Sequence, residues 1–179
     1  MNVYWFDVNV AGPVTDRHAE ALGDVLTAAD GIDATVQAGE DGGVIMFSRE
    51  ADDAIQAIIS AVKDVEEAGM TATGVTEDLV TAEDIAERAK VTAASARYWV
   101  TGERGPGGFP SPRVARPKAS LYSWAEVSTW LYEARLGAVD HVAVETAQAC
   151  ALITAALTVR RGVANLPKHE RHLVARLVA

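Results

Sequence analysis

One cysteine in 179 residues leaves no disulfide to be made within the chain. That residue, Cys150, stands among alanines and a leucine, which suits an inert core thiol. The opening residues lack the basic segment, apolar run and small-residue cleavage site of a secretory signal, so a cytoplasmic location is expected. No stretch reads as membrane-spanning. The most apolar, residues 142–159, carries Glu145, Thr146 and Gln148 and is expected as a buried helix, with no membrane partner. The phosphate-binding loop, the dinucleotide fingerprint, the nucleophile elbow and the H-E-x-x-H pattern are all missing. His169 and His172 are three apart on an expected helix, but no third metal ligand lies near them in sequence, so a surface role is expected. These absences predict no enzyme and no cofactor.

Bases are scarce in one part of the chain only. Residues 1–80 hold 16 acids against Arg17, Arg49 and Lys63, a net charge of −13. Residues 81–136 and 137–179 each come to +2. Between residues 88 and 118 the bases Arg88, Lys90, Arg97, Arg104, Arg113, Arg116 and Lys118 meet a single acid, Glu103. The overall charge of −9 would argue against a polyanionic partner, but it averages an acidic module with a basic one.

The first module alternates strand and helix patterns. Residues 3–10 (V-Y-W-F-D-V-N-V) are β-branched and aromatic and stop at Ala-Gly-Pro, as a strand does before a turn. Thr15 can cap a helix over residues 16–29 with Ala19, Leu22, Val25 and Leu26 inward. Residues 34–38 and 44–48 are expected as two strands joined by the loop 39–43, which opens no helix and so offers no phosphate site. A second helix is expected over residues 50–68, with Ala54, Ile55, Ile58, Ile59, Val62 and Val65 inward and Gly69 ending it. Residues 71–75 add a fourth strand. The order βαββαβ predicts a ferredoxin-like sandwich over residues 1–77 in an α+β chain. Its carboxylates are scattered over helix surfaces and loops, and His18 is expected at the surface.

At the other end, residues 141–161 predict a long helix capped by Asp140, with Val142, Ala149, Cys150, Ile153 and Leu157 in an apolar stripe. Arg160 and Arg161 suit its last turn and Gly162 its end. Pro167 can open a short final helix carrying Leu173, Val174 and Leu177. Residues 137–179 are thus expected as a third, helical segment, packed on the monomer or pairing two copies.

Residues 80–136 carry the strongest functional pattern. Thr81 followed by Asp84 has capping-box spacing and starts a short helix with Ile85, Ala86 and Ala89 inward. Lys90-Val91-Thr92 makes the turn. Thr92 caps the next helix, which turns Ala96 and Trp99 inward and Ala93, Ser95, Arg97 and Tyr98 outward. A small residue at 86, an apolar turn residue at 91 and apolar residues at 96 and 99 are what a helix-turn-helix needs, and its second helix fits the major groove of DNA. Residues 105–112 form a proline- and glycine-rich segment that cannot be helical. Basic residues 113–120 follow, then a return strand at 121–124, then a closing helix capped by Ser123 and running through Trp130 and Leu131. Two helices, a basic hairpin and a third helix predict a winged helix-turn-helix.

Val91-Thr92 with Ala96-Arg97-Tyr98-Trp99 resembles the recognition helix of MerR-type regulators. Phe109-Pro110-Ser111-Pro112, with Tyr122, Trp124, Glu126, Val127, Trp130 and Leu131, is similar to the wing and closing helix of excisionase and AlpA-type DNA-binding proteins. The resemblance spans residues 80–136. It implies phosphate contacts from Arg97 and Tyr98, base contacts from exposed residues of the same helix (Thr92, Ala93, Ser95), and wing contacts from Arg113, Arg116 and Lys118. Arg104, in the same basic stretch, joins this set. The expectation is a sequence-specific double-stranded DNA-binding protein, a transcriptional regulator or an architectural factor, acting as a homodimer. The acidic first module would serve pairing, ligand sensing or a protein partner. The rival expectation is a protein-interaction adaptor whose winged module binds a protein.

Overall fold

A computed structural model describes residues 1–29, 31–116 and 119–177. The chain is mixed α and β and divides into two compact units, Val3–Thr76 with Cys150–Ala179, and Glu77–Ala149. Within residues 137–179 the chain from Cys150 onward belongs to the first unit and the part before it to the second.

In the first unit the alternating start of the chain becomes β1 (Asn2–Ala11), with Tyr4, Phe6, Val8 and Val10 buried and Val3 and Trp5 exposed. After it come α1 (Asp16–Ala28), β2 (Ala34–Gln37), β3 (Gly42–Ala51), α2 (Ala54–Glu67) and β4 (Thr71–Val75). The four strands form an antiparallel sheet in the order β2-β3-β1-β4. Phe6 stacks on Phe47 of β3 at 5.6 Å between ring centres, and Leu22 and Leu26 of α1 complete the buried layer with α2. Removing a large apolar side chain such as Leu22 from this layer costs about 2–5 kcal/mol.

Several boundaries differ from expectation. Strand β3 absorbs Gly42 and Gly43 and continues to Ala51, so the loop between β2 and β3 is shorter than 39–43. Helix α2 begins at Ala54, not at residue 50, because the Asp53 carboxylate accepts the Gln56 backbone N–H at 2.8 Å. Its buried face is Ala54, Ala57, Ile58, Ala61, Val62 and Val65, whose alanines allow close approach; Ile55 and Ile59, expected inward, are 43% and 41% exposed. Between β1 and β4 the register slips at Asn9/Val10, leaving Thr73 as the extra residue, and its hydroxyl donates to the Asn9 carbonyl.

Arg49 on β3 ties this unit together. It bonds both Asp33 oxygens, Asp64 and Ser60 of α2, and lies 4.9 Å from the centre of the Phe47 ring. Burial pulls its pKa down, but hydrogen bonds and charge from Asp33 and Asp64 outweigh that and hold it above its ordinary value.

Helix α6 (His141–Ala164) runs through Gly162 rather than stopping there; the chain leaves it at Asn165 and Leu166, ahead of Pro167. Helix α7 (Lys168–Leu177) follows. By length and composition α6 is apolar enough to cross a membrane, with mean hydropathy 1.6, a test that the core helix of a soluble protein also passes, and it is buried over part of its length only. Cys150, Ile153 and Leu157 are buried, whereas Leu152 is 60% exposed and Val159 is exposed too. An apolar residue on nearly every face cannot be buried by packing on one side alone. In the first unit α6 covers the free edge of β4. The Thr154 hydroxyl donates to the Val75 carbonyl and accepts the Val75 N–H, both at 2.8 Å, and Gly74 leaves room for it, since a Cβ there would come within 3.2 Å of Thr154. Arg160 pairs with Glu66 of α2.

Thr154→Val keeps the shape and removes both bonds, leaving two backbone groups of Val75 without partners. Urea unfolding should show a loss of about 1–3 kcal/mol, and a loss below a few tenths would show that water replaces the hydroxyl.

Candidate nucleic-acid interface

The second unit begins with a short pairing that the sequence pattern did not reveal. β5 (Leu79–Val80) lies antiparallel to β6 (Tyr122–Ser123), and Trp124 N–H donates to the Asp78 carbonyl at 2.8 Å. This two-residue ladder fixes the starts of α3 (Ala82–Arg88) and α5 (Trp124–Ala134) side by side. The return strand thus ends at Ser123, and Trp124, expected in it, opens α5.

Helix α3 starts from a reciprocal cap. The Asp84 N–H donates to the Thr81 hydroxyl oxygen, while the Thr81 N–H and O–H both donate to the Asp84 carboxylate at 2.8 Å. These bonds, the backbone N–H first, hold the Asp84 carboxyl below its usual range, and Arg88 adds to the effect. At the far end Lys90 takes φ 55, the left-handed position. Val91 N–H reaches the Ala86 carbonyl at 2.9 Å and Lys90 N–H the Glu87 carbonyl at 3.2 Å, the paired bonds of a Schellman turn. The chain leaving α5 closes over this turn: Ala138 N–H donates to the Ala89 carbonyl, and a Cβ on Gly137 would come within 2.7 Å of that oxygen. Only glycine fits at 137.

Thr92 caps α4 (Ala93–Thr101) by accepting the Ser95 N–H at 3.1 Å, and the two hydroxyls bond each other at 2.9 Å. Ala96 and Trp99 are buried; Ala93, Ala94, Arg97 and Thr101 are exposed and Tyr98 is half-buried. Trp99 meets Trp130 of α5 edge-on at 5.6 Å. Phe109, from the proline–glycine segment, packs edge-on against both Trp130 (5.0 Å) and Tyr122 (5.5 Å). The Trp130 indole N–H donates to the Gly107 carbonyl at 2.9 Å, so the irregular segment is held at both its backbone and its ring. A bridge between Val114 and Leu121 closes the hairpin, and Ser120 bonds the backbone of Arg116 at 3.4 Å.

The hairpin and α4 enclose an open groove of about 450 Å³. Arg97 and Arg116 both line it, with Ala93, Thr101, Ser120 and Tyr122, and Glu83 of α3 supplies one acid. Among the described residues neither guanidinium has a carboxylate partner. Of the residues singled out in the sequence, Ala93, Arg97 and Arg116 are therefore brought together. Thr92 and Ser95 are tied to each other at the helix start. Arg104 stacks over the Tyr98 ring at 4.9 Å, beside the end of α4. Arg113 is diverted: it bonds Glu77 at 3.1 Å and Glu126 at 3.0 Å, so its charge is already neutralised and it braces the hairpin. Lys118 lies outside the described residues. Ser123, expected to cap α5 with its side chain, makes no such bond; its hydroxyl is buried and, like the Trp124 indole N–H, has no partner among the described residues.

Ser120, Thr101 and Glu83 went unnoticed in the sequence. A serine in a hairpin tip is a turn signal that could have marked Ser120. Nothing local marks Glu77 and Glu126 as partners of an arginine 36 and 13 positions away.

Comparison with known proteins found no matching family model, no similar curated protein and no similar solved structure.

Replacing Lys90 by glycine removes a left-handed side-chain conformation worth about 1–2 kcal/mol, offset in part by the freedom of glycine when unfolded. Thermal unfolding should show net stabilisation of about 1 kcal/mol; a loss would mean that the Lys90 side chain contributes more than its backbone costs. For Asp84 the folded pKa lies below the ordinary 3.8. Its cap therefore contributes above that value and is lost as pH falls through the depressed folded one. Asp84→Asn should destabilise the protein at pH 7 and flatten stability against pH below about 4; an unchanged acid slope would contradict the assignment.

Proposed function

We propose that the chain binds double-stranded DNA through a winged helix-turn-helix spanning residues 80–136. In this reading α4 enters the major groove and the hairpin after Pro112 follows the backbone. The observation that carries it is the groove: two arginines from different elements, unpaired among the described residues, face one open cleft beside an exposed helix. A polyanion answers that arrangement better than any small neutral ligand, because unpaired guanidiniums bind phosphate bidentately and release condensed counterions from DNA.

Local charge, not net charge, supports the reading. Residues 77–149 hold ten acids and eight bases. Yet Glu77, Asp78 and Glu126 are engaged with Arg113 and Arg88, away from the groove. The first unit is read as a ferredoxin-like sandwich, on the strength of its βαββαβ succession and the strand order β2-β3-β1-β4. It is acidic and would serve pairing or a protein partner. Two copies are expected, since one small module makes few base contacts. The role that fits these parts is transcriptional regulation.

The excess of acids favours one rival, a module that binds protein. Retention of the whole chain on DNA resin at low salt separates the two.

Fluorescence anisotropy with a labelled duplex, repeated over a range of salt concentrations, tests the proposal. Arg97→Ala and Arg116→Ala should each weaken binding about five- to tenfold. Each should also flatten the dependence of log affinity on log salt by about 0.9. Equal affinity of both variants and the unmodified chain would refute it.

A further inference from the structure

We infer that the open face of the first unit's sheet, centred on Trp5, docks a second copy of this chain, sheet against sheet across a two-fold axis. The surface lies outside residues 80–136 and does not depend on DNA binding, although it would supply the second copy that the DNA-binding reading calls for.

Alternation along β1 sends Tyr4, Phe6, Val8 and Val10 into the buried layer and turns Val3 and Trp5 to the other face. Trp5 is 74% exposed there, whereas Trp99, Trp124 and Trp130 are all buried. On the neighbouring strand β3, Ile45 and Phe47 are buried and Met46, between them, is exposed. The pairing register carries the same face onto β2, where Thr35 stands opposite Met46 and Gln37 opposite Val44. A single exposed apolar residue is ordinary. Val3, Trp5 and Met46 on adjacent strands of one sheet make a patch, and tryptophan is the side chain that most often dominates an interface.

Charge identifies the occupant. Residues 1–80 hold 16 acids, yet among the described residues only Asp7 and Glu50 stand on a strand. Asp16, Glu20 and Asp24 form an exposed row along α1, and Glu66 and Glu67 end α2. The helix side would therefore repel a second copy, while the sheet face lets two such acidic units approach. A basic partner would be held better by the helices and gains little from an uncharged face. The face is also self-complementary, because Thr35 and Gln37 can each donate and accept beside the apolar patch, and the same residues serve on both sides of a two-fold axis. Strands β1 and β3 are ten residues each, about 33 Å long, and with β2 they span about 15 Å. Two such faces stack about 10 Å apart. The area is small for a stable interface, so association in the micromolar range follows.

Sedimentation velocity of the full chain over a concentration series tests the inference, with acrylamide quenching of tryptophan fluorescence measured in parallel. The unmodified chain should pass from monomer to dimer in the micromolar range. Quenching should fall over the same range, because Trp5 is the exposed tryptophan. Trp5→Glu and Met46→Glu, each checked as folded by circular dichroism, should weaken the dimer about a hundredfold or more, since each change counts twice across the axis. Ile59→Glu on the exposed side of α2 and Leu152→Glu on α6 should leave it intact. A chain that stays monomeric throughout overturns the inference. So does a dimer that survives both sheet variants, one that is lost in Ile59→Glu or Leu152→Glu instead, or one that forms without shielding Trp5. No nucleic acid is present in these measurements, so failure of the DNA-binding reading leaves their outcome unchanged, and the two failures are distinct.

Discussion

The arrangement of the second unit depends on the Trp130 indole. Its N–H holds the Gly107 carbonyl, one neighbour at its ring is Trp99 of α4, and another is Phe109. A helix, an irregular proline–glycine segment and a closing helix thus meet at one side chain that is nine-tenths buried. Without that contact the segment from Gly105 to Pro112 has no regular backbone pairing to place it, and the hairpin beyond would have no fixed distance from α4. Gly105 shows how tight the junction is, since a Cβ there would come within 2.9 Å of the Trp99 ring. The width of the groove between Arg97 and Arg116 follows from this aromatic junction rather than from the two arginines.

Charge is then sorted around that frame. Arg88 pairs with Asp78 and lies over Trp124, and Arg113 bridges Glu77 and Glu126. Both hold the short β5–β6 ladder and the hairpin to the helices, and both are neutralised in doing so. Arg97 and Arg116 have no such partners among the described residues and face one opening. A cluster of bases that looks uniform along the chain separates in space into structural and available members. Counting charges by segment could not have made that separation.

The sequence made the local elements legible. Period-2 and helical patterns place every strand of the four-stranded sheet and both of its helices, and the spacing of Thr81 with Asp84 and the place of Thr92 after the turn mark the caps of α3 and α4. Lys90 reads as a turn residue and takes a left-handed φ of 55. What escaped was non-local or depended on competition between neighbours. The two-residue β5–β6 ladder is too short to leave a periodic trace. The end of α6 at Ala164 went unread because Gly162 meets no obstacle and the helix continues through it. Ile55 and Ile59 match an inward stripe as well as the alanines do, and only packing chooses between them. Arg113 looks like its neighbours until Glu77 and Glu126 are brought beside it.

In the proposed reading the exposed side of α4 and the facing hairpin form one surface for a DNA duplex. Amide chemical-shift mapping of the labelled full chain during titration with a duplex tests this most directly. Shifts should concentrate in Thr92 to Thr101 and around Arg116 and Ser120, with β1 to β4 unmoved. Shifts confined to the acidic first unit, or none at all at saturating duplex, would contradict it.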